Sequence, residues 1–304
     1  MDLSIIIVSW NTADLLQACL ASVYAHAPCC AYDVWVVDNA STDDSAGMVR
    51  QQFPQAQLIA NTDNVGFARA NNQAIAASRG RYVLLLNPDT EVKPGALQAL
   101  VDFLDAHPRA GAAGSMLLNP DESLQPSCHP MPTLAREFWR LFHLDVVWSY
   151  GRYAMQRWDT AVPRDVDVIQ GASFLIRRAI VDRIGFLDGD YFMYSEEVDL
   201  CYRLQKHGWR LYWVPASRVI HYGGQSTRLV AEKMFLELYR GKVMFFRKHY
   251  GARTARLYKS VIALAALPRL VVAAAARVLP LPRRAELRQL GPYYRHLLRR
   301  LPEM

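Results

Sequence analysis

The chain has 304 residues, 52% of them apolar, and a formal net charge of +7 at pH 7. That length supports one large core or two modest ones, and the composition excludes a disordered or low-complexity polymer. Its five cysteines are odd in number and form no C-x-x-C pair, which argues against a disulfide framework or a structural zinc site and suits a reducing compartment.

Met1-Asp2 leads straight into "LSIIIVSW" without a basic stretch, which predicts no secretory signal. "LSIIIVSW" (3–10) reads as a buried strand, and Thr12–His26 has helical spacing. "DVWVVDNA" (33–40) is a second strand, and "STDDSAGMVRQQF" (41–53) is a helix opened by good N-cap residues. "AQLIAN" (56–61) is a short strand, followed by a helix over 66–80 closed by Gly80. "RYVLLLN" (81–87), a helix over 94–108 with Pro94 at its start, and a strand over 110–118 complete the alternation. Strands this apolar between helices predict a mostly parallel sheet covered on both faces, with ligands outside the carboxyl ends of the strands.

Polar residues gather where those strands end: Ser9 and Asn11, Asp38 and Asn39, Asn64 and Gly66, then Asn87 and Asp89. No G-x-G-x-x-G follows the first strand and no G-x-x-x-x-G-K-[ST] occurs anywhere. Both absences weaken a dinucleotide-dependent dehydrogenase and a P-loop ATPase.

Beyond residue 118 the pattern changes. Residues 119–165 hold many aromatics and prolines and predict an irregular, mostly covered insertion. A strand pair is expected over 165–178 and a turn into a helix over 191–208, stopped by Gly208. Two short strands are expected at 209–215 and 218–224.

Charge is unevenly placed. Arg240–Met304 carries 15 Lys/Arg and 2 Asp/Glu, a net of +13, and the rest carries a net of −6. No uncharged apolar run reaches the roughly 18 residues of a spanning helix. Over 284–301, Arg284, Arg288, Arg295 and Arg299 fall within about 60° of one another on a helical wheel. Leu287, Leu290, Tyr294, Leu297, Leu298 and Leu301 fill the opposite arc, with Gly291-Pro292 expected to interrupt the helix. Such a basic amphipathic stretch suits an anionic membrane surface, the alternative being that its apolar face packs on the protein itself. A nucleic-acid arm is disfavoured because the globular part has no matching basic face.

Seven segments, in order, carry a resemblance: "SIIIVSWNT", "VVDNASTDDS", "NVGFARANN", "LLLNPDT", "QGASFLIRR", "FMYSEEVDLCYRL" and "VIHYGGQS". Together they resemble family 2 inverting glycosyltransferases, most closely bacterial rhamnosyltransferase-type enzymes of cell-surface polysaccharide assembly. The resemblance covers roughly residues 3–250 and implies a GT-A fold. It divides the domain into a nucleotide-sugar half (1–118) and an acceptor-binding, catalytic half (119–250), with 251–304 as a membrane-associating helical tail. It also implies a dTDP-, UDP- or GDP-sugar donor, a glycan or lipid-linked glycan acceptor, a Mg2+ or Mn2+ cofactor, and a place on the cytoplasmic face of the plasma membrane. No nucleic-acid partner is expected. The rival reading is a non-catalytic nucleotide- or glycan-binding protein on the same fold, favoured by the departure described next.

The family often places Asp-x-Asp where this chain has Asn87-Pro88-Asp89, so this loop supplies one firm acidic metal ligand, Asp89. A hard divalent cation there would neutralise the leaving diphosphate. The resemblance gives His221 as the second ligand. It places Glu197 as the base that takes the acceptor hydroxyl's proton, with Glu196 and Asp199 as neighbouring acids that also suit a first helical turn. Arg203, four residues on, is the expected partner of Asp199. Ser9, Asn11, Asp38, Asn64, Gly66, Asn71, Asn87 and Asp89 are expected on the donor side. Gln170, Gly171, Phe192 and Tyr194 are expected on the acceptor side.

Overall fold

The structure, a computed structural model, describes residues 1–224, 230–278 and 284–304. Gln225 and Ser226 of the "VIHYGGQS" segment therefore lie outside the described residues. The chain folds into two compact units, residues 1–131 with 153–229 and residues 132–152 with 230–304.

The first unit is built on a nine-stranded mixed sheet. Leu3–Ser9 (β1) is buried at every position and lies parallel between Tyr32–Asp38 (β2) and Tyr82–Leu86 (β4). Gln57–Ala60 (β3) extends the sheet beyond β2. On the other side Ser173–Arg177 (β10) runs antiparallel between β4 and Ala110–Leu118 (β6). Arg210–His221 (β11) is parallel to β6 and pairs antiparallel with Thr90–Val92 (β5) and Arg164–Val166 (β8). Cys128–His129 (β7) and Val168–Ile169 (β9) form a separate two-stranded ladder.

Helices Ala13–Ala25 (α1), Ser45–Gln52 (α2), Phe67–Ala77 (α3) and Ala96–Ala106 (α4) connect the first strands. Arg178–Ile184 (α6) and Glu196–Lys206 (α7) follow later. The uninterrupted apolar runs of β1 and β4 have the composition that a parallel strand covered on both faces requires.

Three local expectations change. Gly80 does not cap a helix: α3 ends at Ala77, and the Gly80 N–H donates to Ser4 Oγ at 2.9 Å. A Cβ there would stand 2.5 Å from the Ser4 nitrogen, so the glycine allows the chain to pass β1. The two short strands expected after Gly208 are one, β11, with a register shift between Val214 and Arg218. Pro215 lies in that shift, where a residue without an N–H costs no ladder bond. The insertion is also less covered than expected, since Val146, Val147 and Trp148 are 89%, 86% and 67% exposed.

The second unit is helical. Leu134–Leu141 (α5) joins Ala231–Val278 (α8), which breaks at Gly251 (φ 86), and Arg284–Arg300 (α9). Buried Glu137 accepts hydrogen bonds from Arg140, Lys242 and the Tyr258 hydroxyl at 2.8–2.9 Å, tying α5 to α8. Tyr294, Leu297 and Leu301 are buried in one cluster with Tyr258, Ile262 and Ala266. The apolar face of the basic 284–301 stretch is thus spent on this unit's own core. Gly291-Pro292 does not interrupt α9. A Cβ on Gly291 would stand 3.3 Å from the Ala273 Cβ, so the glycine allows the close packing of α9 on α8.

Candidate active site

The sheet topology brings the expected site residues of the first unit to one edge. Ser9, Asp38, Asn87–Asp89 and His221 all stand at or just past the carboxyl ends of mutually parallel strands. β10 runs the other way, so Gln170-Gly171, which precede it, reach the same edge. Thr90, the first residue of β5, pairs with His221 there.

Asp38 is buried. Its Oδ2 accepts from the Ser41 N–H at 3.2 Å, while Oδ1 is buried without a hydrogen-bond partner. An acceptor left open in this way suits a ribose hydroxyl or a base N–H. Asn11 adopts φ 52, and its Oδ1 accepts from the Thr42 N–H at 2.7 Å, joining the loops after β1 and β2. The buried Ser9 hydroxyl lies 3.0 Å from that of Thr12.

Asn39 proves to be the hub of the next loop. Its Nδ2 donates to Asn64 Oδ1 at 2.8 Å, and its Oδ1 accepts from the Val65 N–H at 3.1 Å. Asn64 Oδ1 also accepts from the Gly66 N–H at 3.0 Å. Gly66 has φ 85, and a Cβ there would stand 2.6 Å from the Phe192 carbonyl oxygen. The Phe67 N–H donates to that same carbonyl at 2.7 Å. Gly66 thus serves a close approach to the segment leading into α7, and the first N–H of α3 is already taken. Asn71 turns back onto its own helix, donating to the Phe67 carbonyl at 2.9 Å.

Asp89 and His221 are both buried, with Asp89 Oδ1 3.4 Å from His221 Nε2. Gln125 orients the imidazole. Its amide nitrogen donates to the His221 and Asn119 oxygens at 3.0 Å each, so its Oε1 faces His221 Nδ1 at 2.7 Å. This network gives the Nδ1–H its acceptor and turns Nε2 toward Asp89. Asn87 Nδ2 stands 3.5 Å from the same nitrogen.

Two electron-pair donors facing one another across 3.4 Å fit a divalent cation. Among the described residues no group of three His, Cys, Asp or Glu side chains could hold one. Asp89 and His221 are the pair that could hold such an ion, with phosphate oxygens the usual remainder in such sites. Gln125 sits in the irregular stretch after β6, where no spacing or periodicity marks it.

Tyr194 and Ser195 have φ 68 and 73, two consecutive non-glycine residues in the left-handed region, and α7 begins at the next residue. Left-handed backbone of this kind costs roughly 1–3 kcal/mol per residue and clusters at functional sites. It delivers Glu196 and Glu197 to the start of the helix. Each has an Oε2 buried without a hydrogen-bond partner. Burial raises both carboxyls above the ordinary glutamate range, and Glu196 is raised further by the charge of Glu197. The two titrate as a pair.

Asp199 is different. It pairs with Arg203 at 2.7 Å and is fully covered. Arg203 also donates to the carbonyls of Ile184, Gly185 and Phe186. That pair clamps α7 to the end of α6.

The two acidic centres are joined through β10. The Asn87 N–H donates to the Ala172 carbonyl at 3.0 Å. The next residue back is Gly171, whose Cβ position lies 3.8 Å from the Glu197 Cβ. Phe192 and Tyr194, in the turn leading into α7, are half-buried, and Gln170, next to Gly171 in the chain, is exposed.

The profile of the family described as "Glycosyl transferase family 2" matches residues 4–185. The chain is 34% identical over 209 residues to N-acetylglucosaminyl-diphospho-decaprenol L-rhamnosyltransferase of Mycobacterium tuberculosis, covering 64% of this chain and 67% of that protein. It is 29% identical over 185 residues to rhamnosyltransferase WbbL of Escherichia coli, covering 56% and 66%. Among solved structures it resembles the mannosyltransferase PcManGT from Pyrobaculum calidifontis, in complex with GDP-Man and Mn2+. That likeness has a TM-score of 0.59 at 20% identity and covers 99% of this chain and 84% of the other.

Proposed function

Because the chain belongs to glycosyl transferase family 2 and is a glycosyltransferase of GT-A fold, we propose that it moves a hexosyl group, rhamnose, from a nucleotide-diphosphate donor to a lipid-linked glycan. The observation that carries this reading is the Asp89–His221 donor pair at a sheet edge that Gly171 shares, with the Gly171 Cβ position 3.8 Å from the Cβ of Glu197, whose Oε2 is buried without a hydrogen-bond partner.

In this reading Asp38 accepts from the donor's nucleoside, and the 61–66 loop held by Asn39 walls the donor side. Asp89 and His221 would hold Mg2+ or Mn2+, which supplies charge neutralisation for the departing diphosphate. The acceptor hydroxyl oxygen forms a bond to the anomeric carbon as the bond from that carbon to the diphosphate oxygen breaks. The bonding pair leaves with the diphosphate, and the hydroxyl proton passes to Glu197. Displacement from the opposite face inverts the anomeric centre. Burial, which raises the Glu197 carboxyl, makes it a stronger base for that proton.

Rhamnose is supported by the names of both relatives, and a lipid-diphosphate acceptor by that of the mycobacterial one. Such an acceptor would place the enzyme on the cytoplasmic face of the plasma membrane. Among the described residues one helix, 231–276, is long and apolar enough to cross a membrane by length and composition alone.

The test is a thermal-shift screen of dTDP-, UDP- and GDP-sugars, each with and without Mn2+. Binding to the folded state stabilises by RT ln(1 + [L]/Kd), about 2.7 kcal/mol at a hundredfold excess over Kd. Stabilisation by dTDP-rhamnose that depends on Mn2+ is expected. Equal response to every nucleotide sugar, or none, would remove the reading.

A further inference from the structure

The second unit has an apolar surface that no described residue of the same unit covers. Helix residues 252–276 are apolar on two faces. One carries Tyr258, Ile262, Ala265 and Ala266, all buried in the unit's own core. The other carries Leu257, Leu264, Leu267 and Val271, which are 56%, 53%, 54% and 69% exposed. Leu257, Val261, Leu264 and Val271 recur at i, i+4, i+7 and i+14, so they form one stripe about 21 Å long at 1.5 Å per residue. Of the most apolar 18-residue stretch of this helix only 28% is buried.

The stripe continues into a groove of about 630 Å³, walled by Phe138, Trp139, Trp148, Tyr150 and Val261. Beside it stand Val146 and Val147, almost fully exposed at the tip of a turn. Trp139 and Trp148 pack edge to face, and the Trp139 Nε1–H donates to the Trp148 carbonyl at 2.8 Å. The Trp139 N–H is thus satisfied within the unit, and Trp148 is 67% exposed.

Charge decides what covers this face. The unit holds 19 Lys/Arg and 6 Asp/Glu, a net of +13. The stripe itself is bare of charge. Lys259 and Arg269, the two cations within 257–276, turn to the carbonyls of Pro302 and Leu141. Arg253 and Arg256 are exposed at its beginning. A second copy of the chain would set +13 against +13 across a shared face, which like-charge repulsion opposes. A charge-free apolar stripe with Trp and Tyr at its rim, on a strongly basic body, is complementary to anionic lipid.

We propose that the Val146–Trp148 turn and the Leu257–Val271 stripe together form the surface by which this unit lies in the interface of an anionic phospholipid bilayer. The proposal rests on the reading that the acceptor is lipid-linked, and it differs from the sequence expectation in using this face rather than that of α9.

The test is flotation of the full chain with vesicles of phosphatidylglycerol and phosphatidylcholine, compared with the Val147→Asp/Leu264→Glu double variant. Both positions are exposed, and circular dichroism and thermal melting check that the variant folds. Donor hydrolysis measured without lipid reports the glycosyltransferase reading separately. The wild type should float with the anionic vesicles and the variant should lose at least about tenfold in partitioning, because two carboxylates replace apolar side chains on the face that meets an anionic surface. Hydrolysis should be unchanged. Equal flotation of both proteins, or no flotation of the wild type, would overturn the proposal. So would a shift from dimer to monomer in the variant by light scattering without lipid, which would identify a second copy as the occupant.

Discussion

Gln125 Oε1 lies 2.7 Å from His221 Nδ1, and the same amide's nitrogen is held by the carbonyl of His221 itself. One side chain thus grips both the ring and the backbone of the histidine that faces Asp89. Replacing the partner that orients a metal-binding histidine typically weakens metal affinity about 10–100-fold. Gln125→Leu should do so for Mn2+, read by electron paramagnetic resonance with nucleoside diphosphate present. Unchanged affinity would mean that the imidazole is oriented without it.

Glu197→Gln removes the proposed base and keeps the shape of the side chain. Transfer should fall by about 10²–10⁴, the usual contribution of a general base, while calorimetric affinity for the nucleotide stays as in the wild type. Retained transfer would take Glu197 out of the chemistry.

Glu196 makes a prediction about pH. Its carboxyl is raised by burial and by the neighbouring Glu197 charge. In the folded state it therefore holds its proton to higher pH than in the unfolded chain. Its contribution to stability is complete below about pH 4.3, the unfolded value, and is lost as pH rises through the folded value. Glu196→Gln cannot ionise, so its melting temperature should gain on that of the wild type as pH rises from 5 to 8. A constant gap across that range would contradict this.

Arg203→Met removes the cation that pairs with the buried Asp199 carboxylate. Loss of one member of a buried pair costs about 3–5 kcal/mol, measurable by urea denaturation. Asp199→Asn keeps a hydrogen-bond acceptor for Arg203, and its turnover should remain near that of the wild type. Strong loss of turnover in a well-folded Asp199→Asn protein would return that residue to the catalytic set.

Gly66→Ala places a Cβ 2.6 Å from the Phe192 carbonyl oxygen at φ 85. Backbone strain alone costs about 1–3 kcal/mol, and displacing Phe192 would disturb the lead into Glu197. Both stability and transfer should drop, and a variant with normal stability and transfer would show that the contact yields at little cost.

Much of this protein was legible in its residues. Period-two and uninterrupted apolar runs fix where a strand is buried, and β1, β4 and β6 lie where those runs predict them, because local pattern and burial agree there. The turn into α7, the Gly208 stop and the Asp199–Arg203 pair follow equally from local spacing. The convergence of Asp89, His221 and Glu197 did not follow from spacing. They lie on three separated segments, and only the antiparallel insertion of β10 beside β4 carries Gly171, and with it Glu197, to the edge where Asp89 stands. Gln125 had no periodicity to betray it, since its role exists only once β11 brings His221 to it. The apolar face of α9 was visible on a helical wheel, but a wheel does not say what covers it. Packing against α8 consumed that face and left the stripe on α8 bare, because burial is decided by which partner arrives in three dimensions.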